Sequence, residues 1–157
     1  MSGVISYTAL GGKSGIIGPV PSFSVHPASD QNNFAVDYDV QIVWGTEVFD
    51  VGNNFASNTF TAPVTGKYYL SINMTINNMQ EASSYYRISL VTNNKTFYTY
   101  FDPAMLNNAG SGANTLAYSV IAHLDSGHTA YVTIRFSAGG AYADIDTESY
   151  FTGHFLG

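Results

Sequence analysis

The chain has 157 residues, of which 15% are aromatic and only 10% charged; its formal net charge is -6 and it has no cysteine. That length suits one domain burying about two-thirds of its unfolded surface around a single core. The absence of thiols excludes disulfides, Cys nucleophiles and Cys-ligated zinc. Five isolated cations, Lys13, Lys67, Arg87, Lys95 and Arg135, exclude electrostatic capture of a nucleic-acid backbone.

The opening MSGVISYTALGG has no basic start and no long apolar run, so no signal peptide is read there. No segment reaches membrane-spanning length, and no membrane insertion is expected. Gly12, Gly15 and Gly18 stand at every third position before Pro21. This is the spacing of a collagen-like triple helix, although so few triplets equally suit a flexible Gly/Pro leader. Residues 1–21 are therefore read as a leader or stalk end and 22–157 as one domain.

From residue 22 onward the pattern is strand after strand, expected at 22–26, 38–44, 59–61, 67–76, 85–91, 96–101, 115–124, 129–137 and 149–156. In the fourth, Tyr68, Leu70, Ile72, Met74 and Ile76 alternate with mostly polar neighbours, which gives one dry face and one wetter face. Between Thr46 and Ile72 an aromatic-rich pair of strands surrounds the turn Ala62-Pro63-Val64-Thr65-Gly66, where a positive φ is expected at Gly66. Asn93-Asn94 and Asp125-Ser126-Gly127 both read as hairpin turns. Residues 102–114, rich in Asn and Gly, read as a loop with at most one helical turn. With no helical period anywhere, the architecture is an all-β sandwich, jelly roll or barrel, and a jelly roll of about ten antiparallel strands is preferred.

Three segments carry a resemblance. Phe55, Phe60 and Pro63, then Gly66-Lys67-Tyr68-Tyr69-Leu70, resemble the signature of the complement C1q globular head, a jelly roll like that of tumour necrosis factor. The turn Leu124-Asp125-Ser126-Gly127-His128-Thr129 is similar to that family's entry into its penultimate long strand. The ending Tyr150-Phe151-Thr152-Gly153-His154-Phe155-Leu156 resembles its last strand. Phe55 and Phe60 stand closer together than the family's aromatics, and Leu70 and Ile72 replace aromatics. The chain is thus a divergent member, similar in style to C1q-like domains of viral and bacterial fibre proteins. Phe55, Phe60, Pro63, Gly66, Tyr68, Phe151, Gly153 and Phe155 are read as scaffold, because buried aromatics in small β domains report packing. The resemblance implies a homotrimer with binding loops at its apex or sides, and the surplus of Tyr and Phe suits a subunit interface.

Asp144, Asp146 and Glu148 stand at alternate positions, on one side of the chain if it is extended. Such oxygens suit calcium, and some members of the resembled family hold calcium; a solvated acidic loop is the other reading. Asp30, Asp37, Asp39, Glu47 and Asp50 are weaker candidates. His123 and His128 flank the turn at Asp125 and are expected to face each other across it. Tyr85, Tyr86 and Tyr142 offer aromatic faces for a sugar or a protein. No G-x-S-x-G elbow and no phosphate loop occurs, so nothing points to an enzyme. The expected function is a non-enzymatic recognition head at a fibre tip, extracellular or on a virion, binding a cell-surface glycan or protein. The alternative is a structural trimerisation or capping knob for a fibre, capsid decoration or spore-coat filament.

Overall fold

A computed structural model describes residues 19–105, 112–137 and 143–157. The leader triplets therefore lie outside the described residues, as does Tyr142. Among the described residues twelve strands form two antiparallel sheets: β1 (Ser22–His26), β2 (Val40–Gln41), β3 (Thr46–Val51), β4 (Phe55–Ala56), β5 (Thr59–Thr61), β6 (Gly66–Asn77), β7 (Tyr85–Thr92), β8 (Thr96–Phe101), β9 (Asn114–Leu124), β10 (Thr129–Ser137), β11 (Asp144–Ile145) and β12 (Tyr150–Phe155). In the first sheet β6 is flanked by β9 on one edge and by β11 and β12 on the other, followed by β1 and β3. In the second, β10 is flanked by β7 and then β8 on one edge, and by β2 and β5, then β4, on the other. The chain crosses between sheets after β1, β2, β3, β5, β6, β8, β9 and β10, which is the winding of a jelly roll.

Alternation along the strands sends one set of side chains into the space between the sheets. Phe23 is the centre of that core: its ring lies 4.7 Å from Phe60, 5.1 Å from Phe55 and 4.9 Å from Phe151. Tyr68 packs edge-on against Phe60 at 5.4 Å and Phe155 at 5.0 Å, and its hydroxyl donates to Val64 O at 2.7 Å. Burial raises the Tyr68 pKa, an effect the Val64 bond only partly offsets. Phe23 and Leu70 stand on either side of Gly153 in the register, and a Cβ there would collide with both side chains. Gly66 is likewise a matter of space, since its φ is not positive: a Cβ would lie 2.6 Å from the Phe155 ring and 2.9 Å from Gly157 O. The expectation of a left-handed turn residue there is corrected accordingly. Gly127, in the turn after β9, does adopt a positive φ, at 87°.

Three further expectations change. The turn at residues 125–127 is no hairpin, because β9 belongs to the first sheet and β10 to the second. Its backbone is held instead by the turn before β6: Gly127 N–H donates to Ala62 O at 2.8 Å, Ala62 N–H to His128 O at 2.7 Å and Ser126 N–H to Thr65 Oγ1 at 2.9 Å. The strand expected at 38–44 shrinks to β2, because side chains take the place of a ladder. Gln31 Oε1 accepts the Val43 N–H at 2.8 Å and Asn58 Oδ1 accepts that of Trp44 at 2.8 Å. Strands β3, β4 and β11 were not expected. The first is an edge strand with Glu47, Val48 and Phe49 all exposed, so it lacks a clean two-residue alternation. β4 and β5 are joined by Ser57 and Asn58, both at positive φ, as a tight two-residue hairpin requires. In the loop after β8, of which residues 106–111 lie outside the described residues, Pro103–Met105 form a short helical turn.

At the open seam between β8 and β9 the Tyr118 hydroxyl accepts the Leu90 N–H at 2.9 Å and donates to Phe97 O at 3.1 Å. Burial pushes its pKa up to about 12, against the opposing effect of the Leu90 bond. A raised phenol pKa stabilises the fold in full below the unfolded value of about 10 and is lost as pH rises through the folded value. Thermal unfolding of Tyr118→Phe should show a loss of about 1 kcal/mol at neutral pH and a flatter decline than the parent between about pH 10 and 12. Gly153→Ala overpacks the Phe23 and Leu70 contacts and should cost about 1–3 kcal/mol in urea unfolding, whereas a variant as stable as the parent would show the close approach is not limiting.

Candidate functional site

The outer face of the second sheet carries a built groove. Side chains pointing outward from β7 are Tyr85, Arg87, Ser89 and Val91, and those from β10 are Tyr131, Thr133, Arg135 and Ser137. The register sets Arg87 opposite Arg135 and Ser89 opposite Thr133, with Tyr98 of β8 beside Ser89 and Gln41 of β2 beside Thr133. Two small residues ringed by long ones leave a hollow of about 390 Å³, walled by Asp39, Gln41, Arg87, Tyr98 and Tyr131. The floor residues Ser89 and Thr133 are only 1% and 5% exposed, whereas the Tyr98 wall is 53% exposed.

Like charges directly across two strands repel. Asp39 resolves this by pairing with both guanidinium groups: one oxygen meets Arg87 and the other lies 3.7 Å from Arg135. Asp37 adds a contact to Arg135 at 4.0 Å. Burial opposes the Arg87 charge, but hydrogen bonds to Asp39 and to the Tyr100 side chain outweigh it and raise its pKa. Arg87 also lies over the Tyr98 ring, 5.0 Å from its centroid. On this face Arg87 Nε, Ser89 Oγ, Thr133 Oγ1, Arg135 Nε and Ser137 Oγ are buried without a hydrogen-bond partner. Elsewhere among the described residues only Trp44 Nε1 and His128 Nδ1 share that condition.

The outer face of the first sheet is of the opposite kind. Its cross-strand rows read Ile121, Tyr69, His154, Ser22 and then Ser119, Ser71, Thr152, Ser24, followed by Ala117, Asn73, Tyr150. These rows contain no Asp, Glu, Lys or Arg, and Tyr69, Ile121, Tyr150, Val48 and Phe49 are exposed on this sheet. Hydrogen bonds from Ser119 and Ser71 hold the Tyr69 phenol below its usual pKa.

The residues expected from sequence fall out differently. Tyr86 is fully buried, stacked on Phe136 at 5.3 Å with its oxygen accepting the Gln80 N–H, so it belongs to the core and cannot meet a ligand. Tyr85 is half-buried on the groove's sheet, edge-on to Tyr100 at 5.5 Å. The acidic run starts extended in β11 but turns at Thr147 and Glu148, so alternation does not gather its three carboxylates. Asp144 accepts from the Asn78 amide and the Asn33 N–H, at 2.6 and 3.2 Å. Asp146 accepts from the Glu148 N–H and the Asn77 amide, both at 2.9 Å, and these bonds lower its pKa. Among the described residues no three His, Asp or Glu side chains are placed to hold a metal ion. His123 and His128 do meet, through Asp125, at 3.5 and 3.6 Å. Phe55, Phe60, Tyr68, Phe151 and Phe155 are all buried, as a scaffold role requires, while Pro63 is exposed in its turn. Sequence reading missed the groove because a central Ser and Thr look like ordinary outward strand residues until the register sets them side by side.

The C1q domain family model matches residues 22–156. Among solved structures, the globular domain of zebrafish complement 1qA protein is similar at 16% identity with a TM-score of 0.63, covering 88% of this chain and 98% of that one. Murine APRIL is similar at 13% identity with a TM-score of 0.60, covering 88% of this chain and 100% of that one. No curated protein sequence matches.

Because Asp146 is held ionised by local bonds, its contribution is present above the unfolded carboxylate pKa of about 3.9 and lost as pH falls through the lower folded value. Asp146→Asn should therefore melt below the parent at neutral pH, with the gap in Tm closing at about pH 3 and below. An unchanged gap at acid pH would show that charge is not what the turn uses.

Proposed function

The chain belongs to the C1q domain family, and from that premise we propose that it is a non-enzymatic recognition head. It would stand as a homotrimer at the tip of a fibre, outside the cell or on a virion, and bind a cell-surface protein or glycan. Domains of this family are typically non-enzymatic recognition or trimerising modules, extracellular and homotrimeric. Among the described residues no helix is long and apolar enough to cross a membrane.

The observation that carries this reading is the contrast between the two outer faces of one sandwich. A protein surface without charges across three cross-strand rows, with Tyr69, Ile121 and Tyr150 exposed, has the composition of an interface core. Burying that face between protomers leaves the second sheet, with its polar groove, turned toward partners. Strand-borne residues held by a rigid sheet then supply recognition, and the chain uses no nucleophile or acid–base pair.

Light scattering at micromolar concentration should return three times the 16.9 kDa chain mass. Ile121→Asp places a charge in the first of the uncharged rows and should yield a folded monomer with the parent's far-ultraviolet circular dichroism. A parent that is monomeric overturns the trimer. Adsorption of the purified trimer to host cells tests recognition directly. Failure to adsorb anywhere, with fibre assembly lost on deletion of the domain, would instead favour a capping knob.

A further inference from the structure

We propose that the groove on the second sheet is a binding site for a neutral saccharide of one or two hexose units, a reading that rests on the recognition-head function above. Four features of the site converge on that ligand class.

The first is charge. Arg87 and Arg135 are matched by Asp37 and Asp39, so the site has no net charge to offer an ion. An anion would have to displace Asp39, and a cation would face two guanidinium groups. The second is hydrogen bonding. A buried hydroxyl or guanidinium N–H without a partner costs free energy, typically about 1–3 kcal/mol. Ser89 Oγ, Thr133 Oγ1, Arg87 Nε and Arg135 Nε carry that cost side by side on one face. A ligand dense in hydroxyls, each able to donate and accept, satisfies such a set where an apolar ligand would not.

The third feature is aromatic. Tyr98 and Tyr131 wall the groove and Tyr100 extends the aromatic surface along β8, with Tyr98 and Tyr100 centroids 6.2 Å apart. Rings of this kind pack against the C–H face of a pyranose, while Gln41, anchored through Nε2 to Asn58 O and Thr59 Oγ1, keeps its Oε1 to accept from a hydroxyl, as do the remaining lone pairs of the arginine-paired Asp39. The fourth is size: about 390 Å³ falls at the small end of ligand sites. Tyr98 stands on an edge strand and is largely exposed, so it is the wall free to turn aside and admit a sugar to the Ser89 and Thr133 floor.

The test uses the full-length protein, isotopically labelled, titrated with lactose, maltose and cellobiose, with sialyllactose as the anionic arm and a short uncharged peptide as the protein arm. At least one neutral disaccharide should shift the amide NMR signals of Ser89, Thr133 and Tyr98 with a Kd in the range of about 1–10 mM. The double variant Ser89→Ala with Thr133→Val deletes only unpartnered hydroxyls, so its Tm should equal or exceed the parent's while affinity falls about tenfold. Tyr98→Ala should weaken binding similarly. Shifts from sialyllactose or peptide alone, no shift from any neutral sugar, or undiminished binding by the double variant each overturn the proposal. Host-cell adsorption separates this from the broader function. A double variant that adsorbs like the parent removes the groove from recognition and leaves the head intact. Sugar binding without any adsorption removes the head and leaves the groove.

Discussion

One close approach organises the molecule: the absence of a side chain at Gly153. β12 lies at the middle of the first sheet, and its core-facing position between Phe23 and Leu70 is left empty so that these two side chains meet over it. Phe23 can then reach across to stack on Phe60 and Phe55 of the second sheet while touching Phe151 on its own. Four rings from β1, β4, β5 and β12 are thereby joined in one block, and strands far apart in sequence are held in register. A second close approach, Gly66 against Phe155, ties the end of the chain to the turn before β6. Tyr68 then anchors that turn, and the turn in turn anchors the β9–β10 crossing through Ala62 and Thr65.

A core fixed this firmly frees the outer faces for other uses. Both are built from the polar half of the same alternation, yet they diverge because the register groups their residues differently. On the first sheet, small hydroxyls and aromatics fall into uncharged rows. On the second, the register forces two arginines together, and that conflict is relieved by Asp39, which the chain delivers just before β2, with Asp37 also reaching Arg135. The Asp37 backbone, at a φ of 62° and bonded through its N–H to Phe136 O, positions that delivery. Local strain at Asp37 and an unfavourable pair at Arg87 and Arg135 are thus two parts of one arrangement, whose outcome is a preorganised polar hollow rather than a flat sheet.

Much of the fold was legible because its long strands bury one face. β1, β5, β8 and β10 match their expected limits, β7 and β9 differ by a residue at one end, and β6 and β12 by a residue at each end, since alternation of apolar and polar residues is a local signal. What local pattern does not carry is which strand a turn leads to. Asp125-Ser126-Gly127 has the chemistry of a hairpin, but its partners are Ala62, Pro63 and Thr65 in a distant turn, so it crosses between sheets. The same limit separates Tyr85 from Tyr86: adjacent tyrosines look alike in sequence, and only the phase of β7 sends one outward and the other against Phe136. The carboxylates of Asp144 and Asp146 looked like free ligands because their Asn partners at 77 and 78 are remote in the chain.

The same distinction bears on where the proposed recognition would reside. Loops are the usual place to look for binding residues on a β sandwich, because they vary while the scaffold stays fixed. Here the unpartnered polar groups lie on strands, where the ladder holds each Cα and the neighbouring long side chains limit rotation. A loop site pays an ordering cost when its ligand arrives, whereas hydroxyls held beneath Tyr98 and Arg87 are already placed. The aromatic block is held by contacts among its own rings, and Phe60 brings β5 into it. The aromatic core and the polar groove are therefore linked through the ladder: β5 pairs with β10, one of the two strands that carry the groove's floor.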